Sequence, residues 1–229
     1  MTRLLVSVKD AAEAELAAAA GANLIDAKDP ATGALGGLSR GAVEEILRAV
    51  AGRRPVSAVV GEHDEPAAAM AAARALAGTG LSFIKIGFGP GLSSEAAVAR
   101  LKPEGLPPLV AVFFADEDPP FHLLPALAQA GFHGAMLDTR GKRGGGLTTH
   151  LARKRLAAFV ALCRAHALFC GLAGSLHIAD IDRLAPLGAD YLGFRGGLCR
   201  GGNRLNGLDA EAVRTAAGRL ALASTGVPA

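Results

Sequence analysis

Short apolar, β-branched runs alternate along the chain with Ala-rich segments in which Glu and Arg recur at helical spacing, and eight such pairs follow one another. The strand-like runs fall at residues 3–9, 23–28, 55–61, 82–87, 108–115, 132–138, 168–173 and 190–195. Helical segments lie at 10–20, 39–51, 65–78, 93–101, 120–130, 148–166, 176–186 and 208–221. Eight alternations without a break in composition predict one α/β domain over residues 1–229, a closed (β/α)8 TIM barrel. With 229 residues the chain has about 29 per unit, enough for a strand, a helix and two short connections. Asp10, Ser39 and Asp64 stand where helix N-caps belong, and Gly21, Gly52, Gly131 and Gly188 follow helical segments.

Strand periodicity then sorts the polar residues. In NLIDAK, Asp26 and Lys28 share one face while Ile25 and Ala27 take the other; if the apolar pair faces the helices, the charged pair faces the barrel axis. The same parity turns Ser7 and Lys9 inward in RLLVSVK, Lys85 inward between Ile84 and Ile86, and Asp138 inward at the end of GAMLD. Gly-rich, irregular stretches follow the second, fourth, sixth and eighth strands, on the side of a barrel that carries its chemistry.

Composition sharpens this picture at one point. Of 24 basic residues only six are lysine, and Lys9, Lys28, Lys85 and Lys142 fall at strand ends or in the loop after strand six, whereas Lys102 and Lys154 lie in or beside helices. A lysine in a barrel mouth is costly to bury, so its pKa falls; partly neutral, it can attack a carbonyl and form a Schiff base. Asp26 and Asp138 would hold the ammoniums and move protons, and the surplus positive charge suits a phosphate ester. Taken singly, each lysine reads equally well as a structural ion pair; together they point to catalysis. The loops "GLAGS" and "GFRGGLCRGGNR" after strands seven and eight place Gly174, Ser175, Arg195, Gly196 and Gly197 where backbone N–H groups form a phosphate nest, with Ser7 and Lys9 as further substrate contacts.

Other features carry no chemistry in this reading. The histidines His63, His122, His133, His150, His166 and His177 lack ligand spacing, so no metal is expected. Gly87–Gly91 has no acidic strand end after it, which argues against a dinucleotide. Three cysteines without a CxxC pair imply reduced thiols, with Cys199 a bystander, and a cytoplasmic setting. A formal charge of +3 without basic–aromatic interleaving argues against nucleic acid, and nothing resembles a signal peptide or membrane span. The expected partner is a small phosphorylated substrate, and a homo-oligomer is compatible with the sequence.

At these residues the chain resembles the (5-formylfuran-3-yl)methyl phosphate synthases of methanofuran biosynthesis, also described as 4-(hydroxymethyl)-2-furancarboxaldehyde-phosphate synthases. The resemblance runs over nearly the whole chain through LLVSVKD, LIDAKDPATGALG, FIKIGF, AMLDTRGK, LAGSL and FRGGLCRGGNRLNG, in that order. It implies a fold and lysine imine like those of class I aldolases, and a lyase reaction without metal or cofactor. Two molecules of glyceraldehyde 3-phosphate condense with loss of phosphate and water. Carried over by motif, Lys28 would form the Schiff base, Lys85 would accept a proton, and Asp26, Asp138 and Lys142 would complete the site. Two alternatives stand beside it: another class I aldolase acting on a phosphorylated aldehyde, and a non-catalytic barrel that binds a phosphate ligand.

Overall fold

In the computed structural model, which describes residues 1–141 and 144–225, eight parallel strands close on themselves in chain order. They are β1 Arg3–Val8, β2 Leu24–Ala27, β3 Val56–His63, β4 Phe83–Phe88, β5 Leu109–Phe114, β6 Gly134–Asp138, β7 Phe169–Leu172 and β8 Tyr191–Phe194. The helices are α1 Ala11–Ala19, α2 Arg40–Val50, α3 Pro66–Ala75, α4 Glu95–Val98, α5 Leu124–Gln129, α6 Leu147–His150, α7 Arg153–Ala165, α8 Ile181–Leu184 and α9 Ala210–Thr225. The predicted barrel is therefore the observed one.

Alternation along the strands divides the apolar residues into two layers. Leu4, Val6, Val8, Ile25, Ala27, Ile84 and Ile86 pack outward against the helices, while Leu5, Leu24, Val59, Phe83, Val112, Met136 and Tyr191 fill the axis. At the N-terminal ends of the strands the axis is stoppered by aromatic rings. The Phe169 ring lies 5.9 Å from Phe83 and 5.0 Å from Tyr191, with the Arg3 guanidinium 4.8 Å above it. Gly171 makes room for this plug: a Cβ there would lie 2.2 Å from Tyr191 Cζ.

The differences from the sequence reading concern connections. Asp10 and Ser39 cap α1 and α2 by accepting from the N–H groups of Glu13 and Ala42. Asp64 does not cap α3, whose N-cap is Glu65; its Oδ1 accepts from Gly91 N–H at 3.0 Å, and a side chain at Gly89 or Gly91 would collide with it. The Gly-rich run after β4 thus makes a close loop-to-loop contact. The segment 148–166 is two helices, because Leu151 is extended, and 176–186 is a single α-helical turn, α8, between two 3-10 turns. Residues 93–101 likewise contain only the turn α4. β3 runs two residues further than expected, through a bulge between Val59 and Glu62 where Gly61 takes a φ of 96°. No helix among the described residues is long and apolar enough to cross a membrane.

Candidate active site

The register of the first strands sets the floor of the site. Ser7 of β1 pairs with Asp26 of β2, and Asp26 with Ser57 of β3, so all three side chains point inward in one layer. Both hydroxyls donate to the Asp26 carboxylate, Ser57 to Oδ1 at 2.6 Å and Ser7 to Oδ2 at 3.2 Å. Lys85, reaching in from β4, places its Nζ 2.9 Å from Asp26 Oδ1; the two side chains are 1% and 3% exposed. Burial holds the Lys85 ammonium below its ordinary pKa. The Asp26 charge and hydrogen bond pull it back up, and nearby Lys28 pushes it down again. The faces of Tyr191 and Phe83 lie 5.5 and 5.8 Å from Lys85 Nζ, so the aromatic plug doubles as a bed for this charge.

Closer to the mouth, Lys28 continues the inward face of β2 one step past its end. Its Nζ lies 3.2 Å from Asp138 Oδ2, and Asp138 Oδ1 accepts from Thr139 N–H at 2.7 Å. Two ammonium–carboxylate pairs, Lys85–Asp26 between β4 and β2 and Lys28–Asp138 between the ends of β2 and β6, thus stand at successive levels of one cavity of about 320 Å³. Leu35, Met136, Ala173 and Phe194 supply apolar lining. Two residues beyond Asp138, Arg140 lies 4.3 Å above the Phe114 ring and pairs with Glu62 and Glu117.

Ser7, Asp26, Lys28, Lys85, Asp138, Gly174, Ser175, Arg195, Gly196 and Gly197 all line this cavity. Lys9 does not line it: β1 ends at Val8, and Lys9 turns to Glu13, donating its backbone N–H at 3.0 Å with its Nζ 4.0 Å away. Lys142 lies outside the described residues. Gly174 and Ser175 have φ values of 114° and 49°, so Ser175 adopts a backbone conformation rare for a residue with a Cβ. The N–H groups of Gly174, Ser175, Gly196 and Gly197 have no acceptor among the described residues.

Arg195 sits in this lining, but its donors are committed. Nε gives to Arg204 O at 2.9 Å, Nη1 to Ser7 O at 3.2 Å and to Glu13, and Nη2 to Glu13 Oε1 at 3.2 Å and Asn206 O at 3.1 Å. Arg195, read in the sequence as a phosphate contact, ties the loop after β8 to α1 and β1 through the buried Glu13 carboxylate. Sequence parity could not find Glu13: its partner is 182 residues away. Ser57, Thr139 and Arg204 were missed as well, Arg204 because it lies in a loop with no periodicity to orient it. Cys199 is a satisfied thiol, raised by burial and donating to Arg195 O. His177 stands exposed on the rim.

Comparison with known proteins adds sequence likeness to this geometry. A model of the 4-HFC-P synthase family matches residues 4–217. A Methylorubrum extorquens protein, provisionally named a (5-formylfuran-3-yl)methyl phosphate synthase, is 50% identical over 216 residues, covering 93% of this chain and 89% of its own. The Methanococcus maripaludis (5-formylfuran-3-yl)methyl phosphate synthase is 35% identical over 220 residues, covering 89% of this chain and 92% of its own. Among solved structures, phosphoribosyl anthranilate isomerase from Thermus thermophilus superposes with a TM-score of 0.66 at 17% identity, over 96% of this chain and 98% of its own. That last likeness is one of fold.

Proposed function

The chain belongs to the 4-HFC-P synthase family, and on that premise we propose that it condenses two molecules of glyceraldehyde 3-phosphate into (5-formylfuran-3-yl)methyl phosphate through a Schiff base on Lys28. The overall balance releases one phosphate and two waters. The observation that carries this reading is the stacking of Lys28–Asp138 above Lys85–Asp26 in one cavity. A nucleophilic amine and a second amine able to take a proton line the same cavity, each with a carboxylate.

Lys28, nearer the mouth, attacks the aldehyde carbon of the first triose phosphate. Water leaves, and the imine makes the neighbouring C–H acidic. Lys85, held below its ordinary pKa by burial, takes that proton to give an enamine. Elimination of phosphate, carbon–carbon bond formation with the second aldehyde, ring closure and dehydration complete the balance. Asp138 moves protons at Lys28 and Asp26 at Lys85. The free N–H groups of Gly174, Ser175, Gly196 and Gly197 provide donors for a phosphate oxygen on the far wall.

Incubation with glyceraldehyde 3-phosphate and borohydride, followed by peptide mass spectrometry, should place a reduced adduct on Lys28. Without borohydride, a furan chromophore should grow in the near ultraviolet. An adduct with a simple aldol product in place of a furan would turn the reading to another class I aldolase. No adduct and no consumption would defeat it.

A further inference from the structure

Counted by partner among the described residues, the charges of the cavity leave one cation over. Lys85 is paired with Asp26, Lys28 with Asp138 and Arg195 with Glu13. Arg204, which also lines the cavity, has no carboxylate partner among the described residues. The two acidic groups whose charges act on it are held elsewhere: Asp138 holds Lys28 and Thr139 N–H, while Asp29 accepts from Ala31 N–H and the Thr32 hydroxyl. Arg204 Nε is buried without a hydrogen-bond acceptor, an expensive state for a charged donor. Its Nη2 reaches across the mouth to Gly33 O at 2.6 Å, in the loop that follows β2 and Lys28. A Cβ at Gly196 would lie 3.6 Å from Arg204 Cβ, so the guanidinium stem rises beside the loop whose N–H groups stand free.

We propose that Arg204 is the anion ligand of this cavity, receiving a phosphate group of the substrate on its vacant Nε edge while Nη2 stays on Gly33 O. Binding then links the loops after β8 and β2 through one side chain. The phosphate recognition site and the loop beyond Lys28 are thereby coupled, and Leu35 of that loop is held over the cavity. A planar guanidinium can serve both partners at once; a lysine in its place could serve either. Arg195 shapes the loop and Arg204 binds the ligand. The inference rests on the reading above only in taking the substrate to be a phosphate ester.

Titration calorimetry with inorganic phosphate tests it on the full chain. Arg204→Gln should weaken phosphate binding at least tenfold without lowering the melting temperature, and Arg204→Lys should restore part of it. Arg200→Gln, in the same loop but outside the cavity lining, should bind as wild type does. With glyceraldehyde 3-phosphate, Arg204→Gln should raise KM more than it lowers kcat. In the unmodified protein, phosphate should slow amide hydrogen exchange across residues 30–38. That measurement decides the matter if Arg204→Gln does not fold. Phosphate binding within twofold of wild type in Arg204→Gln, or no phosphate protection of residues 30–38, overturns the proposal. If Lys28 is still trapped by borohydride in that case, the Schiff-base reading survives alone. Arg204-dependent phosphate binding without trapping leaves the anion site standing without that chemistry.

Discussion

Lys85 Nζ lies 2.9 Å from Asp26 Oδ1 at the foot of the cavity, both groups almost wholly removed from water. Removing the carboxylate would strip Lys85 of the strongest influence that opposes its desolvation. If Lys85 is the proton acceptor, wild-type kcat should rise with pH along a limb below the ordinary lysine value of 10.5. In Asp26→Asn that limb should move to lower pH, as a pH–rate profile would show. A limb unmoved by Asp26→Asn would take Lys85 out of the proton-transfer role.

The same lysine makes stability pH-dependent. Its folded pKa is lowered, so between that value and 10.5 the unfolded chain binds more protons, and stability rises with pH across this window. Lys85→Met should flatten that rise, as urea unfolding at a series of pH values would show.

Lys28→Ala should reduce turnover by roughly 10³-fold or more, the scale expected when a covalent nucleophile is removed. Lys28→Arg keeps the charge facing Asp138 but cannot form an imine, and should be as inactive. Steady-state assays with glyceraldehyde 3-phosphate separate this from a purely electrostatic role, in which Lys28→Arg would recover activity.

Glu13→Gln breaks the buried pair with Arg195, whose side chains are 7% and 10% exposed. Leaving one partner uncompensated should cost about 3–5 kcal/mol. Denaturant unfolding reads that loss directly, and a change below about 1 kcal/mol would show that the backbone carbonyls alone hold Arg195.

Gly171→Ala drives a methyl group into the Tyr191 ring, where the Cβ would sit 2.2 Å from Cζ. Overpacking of this kind should destabilise by about 1–3 kcal/mol. A paired Tyr191→Phe substitution should recover only part, since Cζ and Cε2 lie 2.2 and 2.5 Å away and remain after the hydroxyl oxygen at 2.5 Å is removed.

The barrel and most of its inward-facing residues were legible in the sequence because both follow from a period of two. Asp26, Lys28 and Lys85 are ordered by strand geometry, and once Ile25 and Ile84 are assigned to the helix side no freedom remains. The reasoning failed where strand geometry stopped. Lys9 lies one residue past the end of β1, so parity no longer governs it and Glu13, four residues on, captures it. From the sequence, a surplus of positive charge is expected in the cavity and attributed to lysines. Among the described residues it belongs to Arg204, in a loop whose path no local pattern dictates. Arg195 does line the cavity as expected, but its pair with Glu13 was not foreseen, because a pair formed between α1 and the loop after β8 leaves no trace in either segment alone.

The stopper of Phe83, Phe169, Tyr191 and Arg3 makes the barrel a blind sac. Among the described residues, Lys28 stands between the mouth and Lys85, which lies at the foot of the cavity. For a condensation of two identical substrates this imposes an order that binding affinity alone does not. The molecule arriving first lies deeper and is enclosed by the second, so traffic through the mouth runs last in, first out. Under the proposed chemistry, the phosphate set free from the inner molecule has to escape past Lys28 before the second aldehyde closes over the mouth.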